Sequence, residues 1–178
     1  MVAPDINIKM AGNEDVQLLS DLSIATFIET YRGTCPDEDI LDFTETYFNE
    51  NIIADELDDK NDFYFIVFAD GFPAGYMRLK EDYNHFPFPE RYNAIELKRI
   101  YVLKEYQSKK VGVALMKYAL EFAKEKGYEA MWLGVWEHNE KAKSFYKKWG
   151  FEDEGFTHIF QVGKTAQTDK WLIKFLKA

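Results

Sequence analysis

Apolar residues change their period several times along the chain, and each change marks an element. Ile6-Asn7-Ile8-Lys9-Met10 alternates, which is the period of a half-buried strand. Asn13, Glu14, Asp15 and Val16 read as a helix start, with an N-cap and an acidic first turn. Leu18, Leu19, Leu22, Ala25, Phe27 and Ile28 continue it at helical spacing until Gly33 stops the run. Pro36-Asp37-Glu38-Asp39 opens a second helix through Tyr47, and residues 51–58 suit a short third. Residues 63–70 and 72–80 are strand-like runs that meet at Asp70-Gly71, a strong hairpin signal. Residues 83–91 hold Pro87 and Pro89 and read as a loop, and 95–103 read as another strand. The strongest helix is 112–126, with Val113, Leu115, Met116, Ala119, Leu120 and Phe122 on its apolar side and Gly127 as its stop. A strand over 130–136, a helix over 139–149 ended by Gly150, and strands over 151–162 and 171–176 joined by a polar loop complete the pattern.

This order predicts one domain spanning residues 1–178, of α/β (α+β) class. The expected sheet is mixed and mostly antiparallel, with one parallel crossover and helices on both faces. A chain of 178 residues with 47% hydrophobic and 17% aromatic content has ample core material. It has no apolar run near the roughly 20 residues that span a bilayer. Met1-Val2-Ala3-Pro4-Asp5 lacks the basic and apolar regions of a secretion signal, and Cys35 is the single cysteine. A cytoplasmic location without membrane attachment is expected. The net charge of −9 argues against a nucleic-acid partner and is compatible with a cationic ligand. Ten acidic residues lie within 37–59, whereas Lys104, Lys109 and Lys110 form the basic cluster. His85, His138 and His158 have no metal-ligand spacing, so no metal site is expected.

The candidate chemistry begins at Tyr106-Gln107-Ser108-Lys109-Lys110-Val111-Gly112-Val113-Ala114, between a strand-like and a helix-like run. A strand, a basic turn and a helix start can hold a phosphate, because free N–H groups and the helix dipole both favour an anion there. The strand before it ends in Leu97-Lys98-Arg99-Ile100-Tyr101-Val102. A second pattern follows as Asn139, Ala142, Phe145, Tyr146, Lys148, Gly150 and Phe151.

On these two patterns, in this order, the chain resembles the GNAT-type N-acetyltransferases over nearly its whole length. Within them it is similar to the bacterial Pai-type spermine/spermidine acetyltransferases, through residues 132–137, Asn139-Glu140, residues 145–148 and Gln167-Thr168-Asp169. The resemblance implies acetyl-CoA as co-substrate and direct transfer of acetyl to a primary amine, a polyamine such as spermidine or spermine. The alternatives are a protein or peptide amine, another small amine, or a non-catalytic acetyl-CoA-binding module.

It also implies roles. Gln107, Ser108, Lys109, Lys110, Val111 and Gly112, with the N–H groups of Gly112, Val113 and Ala114, would cradle the pyrophosphate. Lys110 stands where the family has Gly, and a direct phosphate contact is expected from it. The edge of Ile100, Tyr101 and Val102 would bind the pantetheine amides like an added strand and polarise the thioester. Asn139 would hydrogen-bond the pantetheine arm while also capping its helix, with Lys143 one turn on. Tyr146 would be the general acid toward the leaving thiolate, and Phe145 the better core candidate. Glu96 would be the general base, assisted by Tyr101 or Glu137. Lys98 stands where polyamine acetyltransferases tend to carry Glu, and strand alternation predicts an ion pair with Glu96. Glu29 and Tyr31, with Asp37, Glu38 and Asp39 nearby, would face a small-molecule amine. The aromatic-rich last strands leave room for a homodimer.

Overall fold

In the Asp70-Gly71 hairpin both central residues have positive φ, 51° and 81°, the twist that suits a two-residue turn. It joins β2 (Asp62–Ala69) to β3 (Phe72–Lys80). The computed structural model describes residues 3–83, 86–88 and 91–176. His85, with residues 84, 89 and 90 of the expected 83–91 loop, lies outside the described residues. Before the hairpin come β1 (Ile6–Met10), α1 (Val16–Tyr31), α2 (Asp37–Tyr47) and α3 (Glu50–Asp58). After it come β4 (Ala94–Val102), α4 (Val111–Glu125), β5 (Ala130–Trp136), α5 (Glu140–Lys148), β6 (Glu152–Val162) and β7 (Thr165–Phe175).

The strands form one sheet in the order β1-β2-β3-β4-β5-β7-β6. Every pairing is antiparallel except β4 with β5, the crossover made through α4. α4 buries Val111, Leu115, Met116, Ala119, Phe122 and Ala123 at helical spacing, packed with Phe65, Met77, Leu79, Ile95 and Leu133. Burying each of the larger side chains, Val111, Leu115, Met116 and Phe122, stabilises the fold by about 1.5–3 kcal/mol. On the other face Leu19 and Leu22 of α1 and Ile53 of α3 cover Tyr64, Ile66 and Tyr76.

Two boundaries differ from the sequence expectation. α1 begins at Val16, after a 3₁₀ turn over Asn13–Asp15. Asp15, rather than Asn13, ties the entry: its carboxylate accepts from Gly12 N at 3.0 Å and pairs with Lys9 at 3.0 Å. β7 begins at Thr165, not Trp171, and pairs directly with Val162 across a tight turn. Residues 165–170 are polar apart from Ala166, so hydrophobic alternation does not reveal them. Asp39 of α2 holds this turn, accepting from Lys164 N at 3.0 Å and from Thr165 Oγ1 at 2.5 Å. Those bonds hold the Asp39 carboxyl below the usual range, and they occupy a residue expected near the amine.

Candidate active site

The site lies where the sheet opens. β4 pairs with β5 only through Ala94, Ile95 and Glu96, and beyond Trp132 β5 continues with β7 alone. The β5-facing backbone edge of β4 therefore ends its ladder before Ile100, Tyr101 and Val102. On its other edge β4 pairs with β3 and carries a bulge: Arg78 faces Arg99 and Leu79 faces Leu97, so Lys98 is the extra residue. Lys98 Nζ lies 3.3 Å and 3.4 Å from the two oxygens of Glu96, the expected ion pair. Glu96 is 2% exposed, and burial pushes its carboxyl up against the pull of Lys98.

Below the strand end, Gln107 Nε2 donates to Val102 O at 3.1 Å, and Lys141 Nζ donates to Gln107 Oε1 at 2.5 Å. Ser108 and Lys110 sit in the left-handed region, with φ of 67° and 66°. Lys110 is the N-cap of α4, and its C=O accepts the first helical bond, from Ala114 N at 3.0 Å. The N–H groups outside the helical ladder thus belong to residues 110–113, and Ala114 is already engaged. Val111 is buried, so it offers only backbone, while Lys109, Lys110 and Val113 are exposed. A Cβ on Gly112 would lie 3.8 Å from Val102 and 4.0 Å from Phe145, ordinary contacts. Packing does not require glycine there. A ligand needing close backbone approach would.

Asn139 caps α5, its Oδ1 accepting from Ala142 N at 3.0 Å. It lines a cleft of about 380 Å³ with Glu29, Lys104, Gln107, Trp136 and Lys141. Glu29 Oε2 accepts from Lys104 N at 2.8 Å, which ties α1 to the phosphate-type turn. Lys143 does not join this cleft. Its Nζ donates to Glu137 O at 2.5 Å and to Glu140 at 2.6 Å, and the side chain lines a different cavity with Lys147 and Lys170. The short span back to Glu137 holds it away from Asn139.

Tyr146 is buried and packs on Phe145 and Phe151, whereas Phe145 is only partly buried, the reverse of the sequence expectation. The reason is position: Phe145 lies beside the thin first turn of α4 at Gly112. Tyr31 is buried against Trp136 and Phe160. Burial and then the negative charge of Asp169 raise the phenols of both Tyr31 and Tyr146, so both stay protonated at neutral pH. Burial and then Tyr31 hold the Tyr101 phenol high as well.

Asp169 enters the sequence reading only within the Gln167-Thr168-Asp169 stretch of the resemblance, with no chemical role assigned. It stands on β7 opposite Trp136. Its Oδ2 lies 3.1 Å from where a Cβ on Gly134 would sit. Asp169 Oδ1 and Trp136 Nε1 are enclosed and have no hydrogen-bond partner among the described residues. Burial pushes the Asp169 carboxyl up to about 7, with Lys98 pulling it down and Glu96 pushing it up. Its signal was the alternation Asp169, Trp171, Ile173, which puts a carboxylate on an apolar strand face. A neutral phenol, a buried carboxylate near neutrality and an open strand edge can together bind an extended amide chain and move protons beside it.

The acetyltransferase (GNAT) family matches residues 24–151. An uncharacterized N-acetyltransferase of Lactobacillus delbrueckii subsp. lactis is 34% identical over 96% of this chain and 98% of that one. A spermidine N(1)-acetyltransferase of Thermoplasma acidophilum is 30% identical over 84% of this chain and 89% of its own length. Among solved structures, the PaiA N-acetyltransferase of Thermoplasma acidophilum in complex with coenzyme A superposes with a TM-score of 0.79. That match has 26% identity and covers 96% of this chain and 99% of the other. The opened β4–β5 seam, the basic turn into α4 and these likenesses agree, and the chain belongs to the acetyltransferase (GNAT) family, as an N-acetyltransferase with acetyl-CoA as co-substrate.

Proposed function

We propose that this enzyme acetylates a polyamine such as spermidine or spermine, by direct transfer from acetyl-CoA within a ternary complex. The observation that carries the reading is the chemistry around the opening. Glu29 lines the cleft with Trp136, Asp169 is the register partner of Trp136, and Tyr31 packs on the same ring, a set of carboxylates and aromatics that suits an alkylammonium chain through charge and cation–π contact. The likeness to a spermidine acetyltransferase supports it. The N–H groups of residues 110–113, with Gln107, Ser108, Lys109 and Lys110, bind the pyrophosphate. The edge of Ile100, Tyr101 and Val102 binds the pantetheine amides, and one of its N–H groups polarises the thioester carbonyl. Asn139 contacts the same arm from the cleft. Tyr146 protonates the leaving thiolate, for which its phenol is kept neutral.

The lone free Cys35 fits a reducing, cytoplasmic compartment. A homodimer finds its support at β6, a sheet edge with exposed Phe156 and Ile159.

The test is free-thiol release from acetyl-CoA with spermidine, spermine, putrescine, lysine peptides and aminoglycosides. Spermidine turnover is expected, with kcat lowered about a hundredfold in Tyr146→Phe and KM for acetyl-CoA little changed. Turnover with lysine peptides alone would replace the polyamine by a protein amine. Acetyl-CoA binding without turnover on any amine would favour a binding module.

A further inference from the structure

Asp169 and Trp136 are register partners on β7 and β5, and each holds an enclosed polar atom without a partner among the described residues. Unpaired buried polar groups are rare, and a pair of them on facing strands at an open seam calls for a ligand. Gly134 makes the room. A Cβ there would stand 2.9 Å from the Trp171 ring and 3.1 Å from Asp169 Oδ2. The missing side chain lets the carboxylate lie flat over β5, toward the seam with β4. We propose that the Asp169 carboxylate is the general base that takes the proton from the acceptor ammonium.

The inference rests on the reading that the acceptor is a primary amine, and it does not require a polyamine. Glu96, the carboxylate the sequence suggests, is less suited. The exposed Lys98 already pairs with both oxygens of the buried Glu96, at 3.3 Å and 3.4 Å. Asp169 keeps Oδ1 unspent. Lys98 and Glu96 of β4 act on it, its charge in turn acts on the phenols of Tyr31 of α1 and Tyr146 of α5, and His158 is its register partner on β6. Burial holds its carboxyl at about 7, where a base is both unprotonated and strong enough at neutral pH.

The protons balance as follows. Asp169 takes one proton from the ammonium and returns it to solvent after turnover. The freed nitrogen lone pair forms the C–N bond at the thioester carbonyl. The C–S bond then breaks with its electron pair on sulfur, which receives the Tyr146 phenol proton. The second nitrogen proton returns the Tyr146 phenolate to the phenol, leaving amide and thiol.

The experiment is the pH dependence of kcat, from pH 5.5 to 9.5, for wild type, Asp169→Asn, Lys98→Met and Glu96→Gln. Wild-type kcat should rise through an apparent pKa near 7. Asp169→Asn should lose about a hundredfold at pH 7, with KM for acetyl-CoA within twofold. Its rate should then climb tenfold per pH unit, as solution deprotonates the amine, a recovery that a merely structural loss would not give. Lys98→Met should move the limb to higher pH by removing the charge that pulls Asp169 down. An Asp169→Asn enzyme with the wild-type limb and rate would overturn the inference, as would loss of that limb in Glu96→Gln alone. If spermidine is inert and another amine reacts, the polyamine reading fails, and the same profiles on that amine decide the base.

Discussion

Lys110 shows how one side chain can oppose its own backbone. With φ of 66° and ψ of 8° it occupies the left-handed region, where a Cβ crowds the following carbonyl. Such a conformation costs on the order of 1 kcal/mol for a residue other than glycine. Nothing in the folded chain offsets that at this position, since the side chain is exposed. The offset on the present reading comes from the pyrophosphate, which a lysine beside free N–H groups would bind more tightly. Lys110→Gly should therefore raise Tm by roughly 2–4 °C, as a gain near 1 kcal/mol does for a chain of this size. It should also raise KM for acetyl-CoA severalfold, with kcat little changed. Thermal denaturation and initial rates on the same preparation measure the two opposed effects.

At the scale of elements, one buried ionic cluster binds α3, β2, β3 and β4 together. Arg78 donates to both oxygens of Asp62, at 2.7 Å and 2.5 Å, and to Glu56 at 2.6 Å. Tyr64 bonds to Glu56 as well, and Arg99 joins from β4 at 2.7 Å from Tyr64 and 3.2 Å from Glu56. Side chains of Arg78 and Asp62 are 4% and 0% exposed, so neither charge has water to fall back on. Asp62→Ala should cost roughly 3 kcal/mol in urea unfolding, because it leaves two buried guanidinium N–H groups without acceptors while only Glu56 remains on Arg78. Adding Arg78→Met should recover most of that loss. Sequence pattern could not reveal this cluster, since Glu56, Asp62 and Arg78 are 6 to 22 residues apart and read as surface charge. What was legible were the elements with one dominant local cause: the Asp70-Gly71 turn, the apolar stripe of α4, and the single parallel crossover. The first half of β7 was not legible, because its polar residues serve the Asp39-bound turn and the seam rather than a core. Asp169 was hidden for the same reason, and Lys143 was misplaced because a lysine's reach is set by its nearest acceptors, not by helical spacing.

For the whole molecule, the site's carboxylates set how stability varies with pH. Asp169 and Glu96 are both raised by burial, so the folded state holds their protons to higher pH than the unfolded chain does. Where the native state binds more protons, stability falls as pH rises. For Asp169 the fall runs from near 4, the ordinary carboxylate value, to about 7, and it is complete above that. A shift of that extent on a largely buried group, discounted for its remaining exposure, is worth roughly 2–4 kcal/mol of stability lost by pH 8. Groups with lowered values, Asp39 and Asp153, act in the opposite sense but below pH 4, outside this window. Asp169→Asn removes the ionisation while nearly preserving shape. The variant should match wild type near pH 4 and exceed it by roughly 2–4 kcal/mol at pH 8, read as the difference between urea midpoints at each pH. Taking that difference cancels the other titrating side chains, histidines included. If the two curves instead run parallel from pH 5 to 8, Asp169 ionises alike in both states, and the seam does not desolvate it. A gain in stability paired with a loss of turnover would mean that the fold keeps an unfavourable buried charge at the seam because the reaction uses it.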